Sequence, residues 1–259
     1  MFDASLPSVC LVIPAKNEAR NIHSVLARVP DFIQELILVD GHSDDGTVDI
    51  AVSIRPDIKV VTDDRPGKGS ALRVGFNEAE SDFVVIIDAD GSMDPQEVIR
   101  YVGHMASGYE LVKGSRFMVG AGSSDITVIR HLGNKALVTL TNLLFKQRFT
   151  DLCYGYLAFD RRRFAELGLR STGFEIEAEI VTKAAMNGLR ITEVPTFESP
   201  RLHGVSNLNA IRDGFRILFT ILRERGSGRR VRPPRQPAEY VVDLRHDGHR
   251  QPAPLPAES

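Results

Sequence analysis

The chain has 259 residues, 42% of them hydrophobic and 25% charged, and its 32 basic and 34 acidic side chains leave a formal charge of −2. These are values of a globular protein that can bury a core. They exclude a strongly basic nucleic-acid binder and a highly acidic unfolded chain. Two cysteines, Cys10 and Cys153, allow neither a disulfide framework nor a thiolate zinc cage. No apolar run reaches the roughly 18 residues needed to span a bilayer. Met1 to Pro7 has no basic stretch ahead of an apolar core, so no signal peptide is expected. The expectation is a cytoplasmic protein, with room for peripheral contact to a membrane.

Along the first half, short apolar runs alternate with amphipathic stretches. Val9 to Ile13, Leu36 to Val39, Lys59 to Thr62 and Phe83 to Asp88 read as buried strands, rich in Val and Ile without alternation. Between them, residues 17–29 place Ile22, Val25, Leu26 and Val29 on one helical face, and 47–54 and 68–79 are further helices. Asp94-Pro95 opens another, with Asp as cap and Pro in the first turn. This order predicts an α/β, Rossmann-like, mostly parallel sheet flanked by helices. In the second half, strands are expected at 111–114 and 156–159, helices at 129–145 and 175–187, and a loop at 117–128. Residues 190–197 read as an edge strand because Pro195 cannot donate to a ladder. A last amphipathic helix covers 208–224, so one domain occupies 1–225. The Pro- and Arg-containing segment 226–259 reads as a disordered tail.

In parallel α/β sheets, ligands bind beyond the carboxyl ends of the strands. Those ends here are Pro14-Ala15-Lys16-Asn17-Glu18, then Asp40-Gly41-His42-Ser43-Asp44-Asp45-Gly46-Thr47, then Asp63 to Gly69, and Asp88-Ala89-Asp90-Gly91-Ser92. A single acidic turn is an ordinary helix cap; four converging on one rim point to a site. Asp88 and Asp90, two residues apart, face the same side if the strand continues through them. Their oxygens suit a hard cation, Mg²⁺ or Mn²⁺, bridging to phosphate. The other reading is a turn, since Asp-Gly and Asp-Pro are turn residues. Gly67-Lys68-Gly69 supplies a flexible loop with one ammonium, suited to a diphosphate. It is neither a Walker motif nor a dinucleotide fingerprint, because residue 62 is Thr and residue 72 is Leu.

These pieces continue with Gly114-Ser115-Arg116, Gly173-Phe174-Glu175-Ile176-Glu177, Glu193-Val194-Pro195 and Arg201-Leu202-His203-Gly204-Val205-Ser206. In this order, over about residues 8–222, the set resembles family 2 glycosyltransferases of the GT-A fold. The branch is that of dolichyl-phosphate mannose synthase and other polyprenyl-phosphate glycosyltransferases. The resemblance implies that Pro14, Ala15, Asn17 and Glu18 line a base and ribose pocket and that Asp40 contacts the nucleoside. It places Lys68 and Ala89 near the nucleotide, and Asp88 and Asp90 on a metal at the diphosphate. Arg116 and Arg130 would flank a loop that closes over the donor and receives an acceptor phosphate, with Arg201 and Ser206 in a second loop near the diphosphate. Ser92, Gly41 and Asn207 stand where relatives often carry Gln, Asp and Lys.

The reaction implied is metal-dependent, inverting transfer of a hexose from a GDP- or UDP-linked donor to a polyprenyl phosphate. A hydroxyl of a soluble natural product or glycan is the alternative acceptor. A hydroxyl needs a positioned base, for which Asp151, Glu175 and Glu177 are candidates, Asp151 first because the two Glu begin a helix whose N-terminus favours negative charge. Helix 208–224, apolar on one face and Arg-bearing elsewhere, either packs on the sheet or lies in a membrane interface. A sugar-nucleotide-binding module without catalysis and a nucleotidyltransferase are the rival classes. Intact Asp88, Asp90, Arg116 and Arg130 argue against the first. The second lacks its Gly-rich N-terminal signature.

Overall fold

The structure is a computed structural model, and it describes residues 7–205 and 208–227. Its central sheet takes seven strands: β1 (Val9–Ala15), β2 (Glu35–Asp40), β3 (Lys59–Thr62), β4 (Phe83–Ile86), β5 (Leu111–Ser115), β7 (Leu157–Asp160) and β8 (Ile191–Pro195). Two short strands, β6 (Gly122–Ser123) and β9 (Phe197–Glu198), pair separately. The order in the main sheet is β3-β2-β1-β4-β7-β5-β8. The first four strands are parallel. β7 runs antiparallel to both β4 and β5, so the sheet is mixed. The short apolar run that forms β7 carries no signal of direction. β8 is the edge, as Pro195 predicts, and the strand ends at Pro195, with Thr196 separating it from β9.

Alternation along the buried strands explains the two helical layers. Cys10 and Val12 of β1 point to one side, Val9, Leu11 and Ile13 to the other. The first side is covered by α3 (Lys68–Glu78), α5 (Val128–Phe145), α7 (Ile176–Met186) and α8 (Ala210–Gly226). The second is covered by α1 (Ala19–Leu26), α2 (Thr47–Ile54) and α4 (Val98–Ala106). A short α6 (Arg161–Ala165) follows β7. The Asp94 cap accepts from the Gln96 N–H, and Pro95 opens a single 3₁₀ turn that leads into α4. The expected loop at 117–128 contains β6, too short to show a pattern. α8 runs one residue past the expected boundary at 225, and the segment expected to be disordered lies, from residue 228 on, outside the described residues.

β2 and β3 extend the sheet to one side of β1, and β4 returns on the other. The order therefore reverses between β1 and β4, and a crevice opens beyond their carboxyl ends. The α3 layer sits close to β1 and β2 because of Gly75, whose missing Cβ would lie 2.4 Å from Val12 Cγ1 and 2.9 Å from Val39 Cγ2. Both neighbours are β-branched and cannot swing away cheaply. Gly75→Ala is expected to lower the thermal midpoint. The overpacking costs about 1–3 kcal/mol, more than the up to about 1 kcal/mol that Ala returns in a helix. Thermal unfolding followed by circular dichroism checks this; a raised midpoint contradicts it.

Candidate functional site

The crevice holds a cleft of about 390 Å³. β1 delivers Pro14, Ala15, Lys16 and Glu18 to it, α3 delivers Gly67 and Lys68, and the turn after β4 delivers Asp88, Ala89, Asp90 and Ser92. From the second half come Asp125 and Arg130, then Tyr154, Glu177, Glu198 and Arg201.

β4 ends at Ile86, so Asp88 and Asp90 do not share a side through strand alternation. They share the cleft through a turn in which Asp90 Oδ1 accepts from the Ser92 N–H at 2.9 Å. The loop 67–69 is held rather than flexible. A Cβ on Gly67 would lie 2.2 Å from the Thr172 carbonyl oxygen and one on Gly69 2.8 Å from that of Ser171. The glycines let the start of α3 touch the 171–173 backbone and so fix Lys68.

Two cations of the cleft, Lys68 and Arg201, each span two carboxylates. Lys68 Nζ lies 2.6 Å from Asp88 Oδ1 and 3.0 Å from Glu177 Oε1. Burial works against this ammonium, but the two carboxylates outweigh it and hold its pKa above the ordinary lysine value. Arg201 Nη2 lies 3.0 Å from Asp90 Oδ2, and its Nη1 2.8 Å from Glu18 Oε1. Arg130 lies 3.2 Å from Asp125 at the opposite wall.

Not all expected residues reach the cleft lining. Arg116 is buried and grips Asp151 through Nε at 2.7 Å and Nη2 at 3.1 Å, with Nη1 3.1 Å from Glu198. Its guanidinium also lies 4.9 Å from the Tyr154 ring centroid. Asp151 is fully buried; burial alone would raise its pKa, yet the charges of Lys113 and Arg116 outweigh this and lower it. Neither residue is among the lining of the cleft; both stand behind it, engaged with each other. Asn17, which is exposed, and Asp40, which is buried, also fall outside the lining. Asp40 accepts from the Ser43 N–H at 3.1 Å, and Asn17 Oδ1 accepts from the Asp44 N–H at 3.0 Å, so the pair shapes the turn after β2. Ser206 lies outside the described residues.

Sequence reasoning missed Glu198 and Asp125, which sit in segments without a motif. It assigned Glu177 to a helix start, which is correct for the backbone but silent about Lys68. The neighbouring helix-start carboxylates do serve the backbone: Glu175 accepts from the Gly173 N–H at 3.2 Å and Glu179 from the Ser171 N–H at 2.7 Å.

The model for glycosyl transferase family 2 matches residues 10–168. The chain belongs to this family. Among family members, it is similar to glycosyltransferase AglJ of Haloferax volcanii, with 32% identity over 83% of this chain and 71% of that protein. It is also similar to a dolichol-phosphate mannosyltransferase of Pyrococcus furiosus, 26% identical over 86% of this chain and 66% of that one. Among solved structures, glucosyl-3-phosphoglycerate synthase of Mycobacterium tuberculosis in complex with Mn²⁺, UDP and glucosyl-3-phosphoglycerate superposes with a TM-score of 0.66, at 25% identity over 85% of this chain and 80% of that one. The same enzyme has been solved with Mg²⁺ and UDP, with a TM-score of 0.67 at 24% identity, over 85% of this chain and 80% of that chain. This family 2 member is therefore a glycosyltransferase with the GT-A fold.

The Arg116 clamp makes a prediction that separates support from chemistry. Arg116→Met leaves Asp151 and Glu198 buried without their shared cation, at a cost of about 3–5 kcal/mol. Because the folded-state pKa of Asp151 is depressed, its contribution is present above the unfolded value near about 3.9 and is lost as pH falls through the lower folded value. The gap between wild type and variant should thus be widest near neutral pH and narrow below about pH 4, as Asp151 protonates. Urea unfolding across pH measures it; a gap independent of pH counts against the clamp.

Proposed function

We propose that this glycosyltransferase moves a hexose from a GDP- or UDP-linked donor to a polyprenyl phosphate, with inversion, and that Asp88 and Asp90 hold Mg²⁺ or Mn²⁺ at the donor diphosphate. The donor set suits such an ion, because Mg²⁺ takes one or two carboxylates and completes its shell with phosphate oxygens and water. When bound, the ion neutralises charge growing on the departing diphosphate. The protein's own residues do the remainder. Pro14, Ala15 and Ala89 give the cleft an apolar floor beside Glu18. Asp40 and Asn17 shape the loop that borders the nucleoside. Lys68 and Arg201 bridge the carboxylates in pairs and place two cations where phosphate charge accumulates.

One observation favours a phosphate acceptor over a hydroxyl. Each carboxylate in the described lining is already ion-paired: Glu18 and Asp90 with Arg201, Asp88 and Glu177 with Lys68, Asp125 with Arg130, and Glu198 with Arg116. A carboxylate held by a cation is a poorer base. A phosphate monoester, with a second pKa of about 6, is already mostly dianionic at neutral pH and needs cations rather than a base. Arg130 is positioned to supply one. The name of the Pyrococcus relative agrees with this acceptor. A soluble hydroxyl acceptor, the second reading, is favoured by the solved neighbour whose complex holds glucosyl-3-phosphoglycerate. We place the enzyme in the cytoplasm, with peripheral contact to the cytoplasmic membrane face.

Two measurements test these assignments. UDP or GDP with Mn²⁺, at about a hundredfold above its dissociation constant, should add about 2.7 kcal/mol and raise the midpoint by roughly 5–10 °C. In Asp90→Ala the part of that rise that depends on Mn²⁺ should vanish; if it persists, the ion is held elsewhere. Arg130→Ala should slow transfer to a polyprenyl phosphate by about 10- to 100-fold, the worth of one charged hydrogen bond, while donor hydrolysis is unchanged. Equal losses in both reactions would point to the hydroxyl acceptor.

A further inference from the structure

Helix α8 (Ala210–Gly226) has two faces of opposite chemistry. Asp213, Ile217, Thr220, Ile221 and Glu224 are buried as the helix packs on α5 and α7. On the other side Ile211, Phe215 and Phe219 are each 68% exposed and Leu222 is 48% exposed. Steps of four, four and three residues put these four on one stripe along the helix. Three of them are followed at once by arginine: Ile211-Arg212, Phe215-Arg216 and Leu222-Arg223. Those arginines form a second, adjoining stripe, and all three are exposed, as is Arg225. The acids of the helix, Asp213 and Glu224, lie on the buried side, where Arg212 and Arg223 lean back on them at 3.2 and 3.0 Å. A helix that merely covers a core shows polar residues outward. This one shows phenyl rings and guanidiniums, which together line an open groove with Thr172 and Glu175.

Helix α5 repeats the pattern. It contains no Asp or Glu, and Val128, Ile129 and Leu132 in its first two turns are exposed. Both helices border the cleft, α5 through Arg130 and α8 through Ile217 and the preceding Leu208.

The charge selects the occupant. A second copy packed through the same face would set arginines against arginines, since a two-fold contact places a patch on itself. An apolar protein groove would satisfy the phenyl rings and leave the cations in place. An anionic bilayer satisfies both, with aromatic and aliphatic side chains at the acyl boundary and guanidiniums on lipid phosphates. No helix among the described residues is long and apolar enough to cross a membrane, so the contact is peripheral. We propose that the outer face of α8, with the first turns of α5, docks on an anionic lipid surface and sets the mouth of the cleft against it. The α8 side chains that carry this docking are no donor, metal or acceptor residues, and of the α5 turns beside them only Arg130 belongs to the proposed acceptor site, so the α8 contact is tested apart from the choice between lipid-phosphate and hydroxyl acceptors.

The test is sedimentation of the full chain with vesicles of phosphatidylcholine alone and of equal parts phosphatidylcholine and phosphatidylglycerol. The full chain should sediment with the mixed vesicles and far less with the neutral ones, and binding should weaken as salt rises. Phe215→Ser combined with Phe219→Ser should lower the partition by about 10- to 100-fold, since two aromatic side chains lose their apolar partner. Arg216→Glu combined with Arg223→Glu should lower it by at least about 20-fold, because each lost cation near an anionic surface is worth about fivefold. These side chains are exposed, so an unchanged thermal midpoint confirms that the variants fold. Absence of binding to the mixed vesicles overturns the proposal, as does binding of both double variants at the level of the unaltered chain. A dimer in solution that the phenylalanine variants dissolve would assign the face to a second copy and would also overturn it.

Discussion

The functional end of this protein depends on a repeated electrostatic device: one cation held between two carboxylates from distant parts of the chain. Lys68 joins the turn after β4 to α7 through Asp88 and Glu177. Arg201 joins that same turn to the start of α1 through Asp90 and Glu18. Arg116 joins Asp151 to Glu198 one layer deeper. Six carboxylates crowded on one sheet edge would repel one another. Bridged in pairs by cations, they have that repulsion offset and their oxygens held in place. The Lys68 and Arg201 clamps also tie the irregular second half of the chain to the first, beside backbone hydrogen bonds such as that from the Leu202 N–H to the Asp90 carbonyl.

The division of labour among the clamps follows from depth. Arg116 is almost wholly desolvated and held by two acids, so its energy goes into placement. Lys68 and Arg201 meet the cleft itself. Their carboxylates Asp88 and Asp90 line the cleft and can therefore exchange a protein cation for a ligand-borne one. Negative charge arriving on a diphosphate would draw the same two cations. Carboxylates and cations thus form a set that can accept a charged ligand together with its counter-ion without leaving a buried charge alone.

Much of the fold was legible because it rests on local periodicity. The first four strands and the helices between them follow from unbroken Val- and Ile-rich runs and from apolar residues at helical spacing. The cleft's position then follows from topology, since β1 and β4 flank the point where the order reverses. The direction of β7 was not legible, because a four-residue apolar strand looks alike in either sense. Asp88 and Asp90 were expected in the cleft for a reason that does not hold, strand alternation, where a turn closed by Ser92 does the positioning. Arg116 and Asp151 carried a motif but no mark of burial. Their partnership spans thirty-five residues and includes Glu198, which nothing in its sequence neighbourhood distinguishes. Ion pairs across such separations are products of tertiary structure, and sequence pattern reports only what neighbours dictate.

Helix α8 connects the two kinds of information. Its inner residues, Ile217 and Ile221, belong to the core, and Ile217 also reaches the cleft. Its outer apolar residues, Ile211, Phe215, Phe219 and Leu222, are exposed beyond what the core needs, and such side chains in water lower solubility. Pattern alone reads such a helix as simply amphipathic. Burial shows that the apolar character extends beyond the face the core needs, and that the helix's acids have been drawn to the inside while its arginines stay out. A surface with that sorting is constrained by something other than the stability of the chain that carries it. Because one helix contributes both to the wall of the cleft and to that surface, whatever meets the outside of α8 also fixes how the cleft is presented.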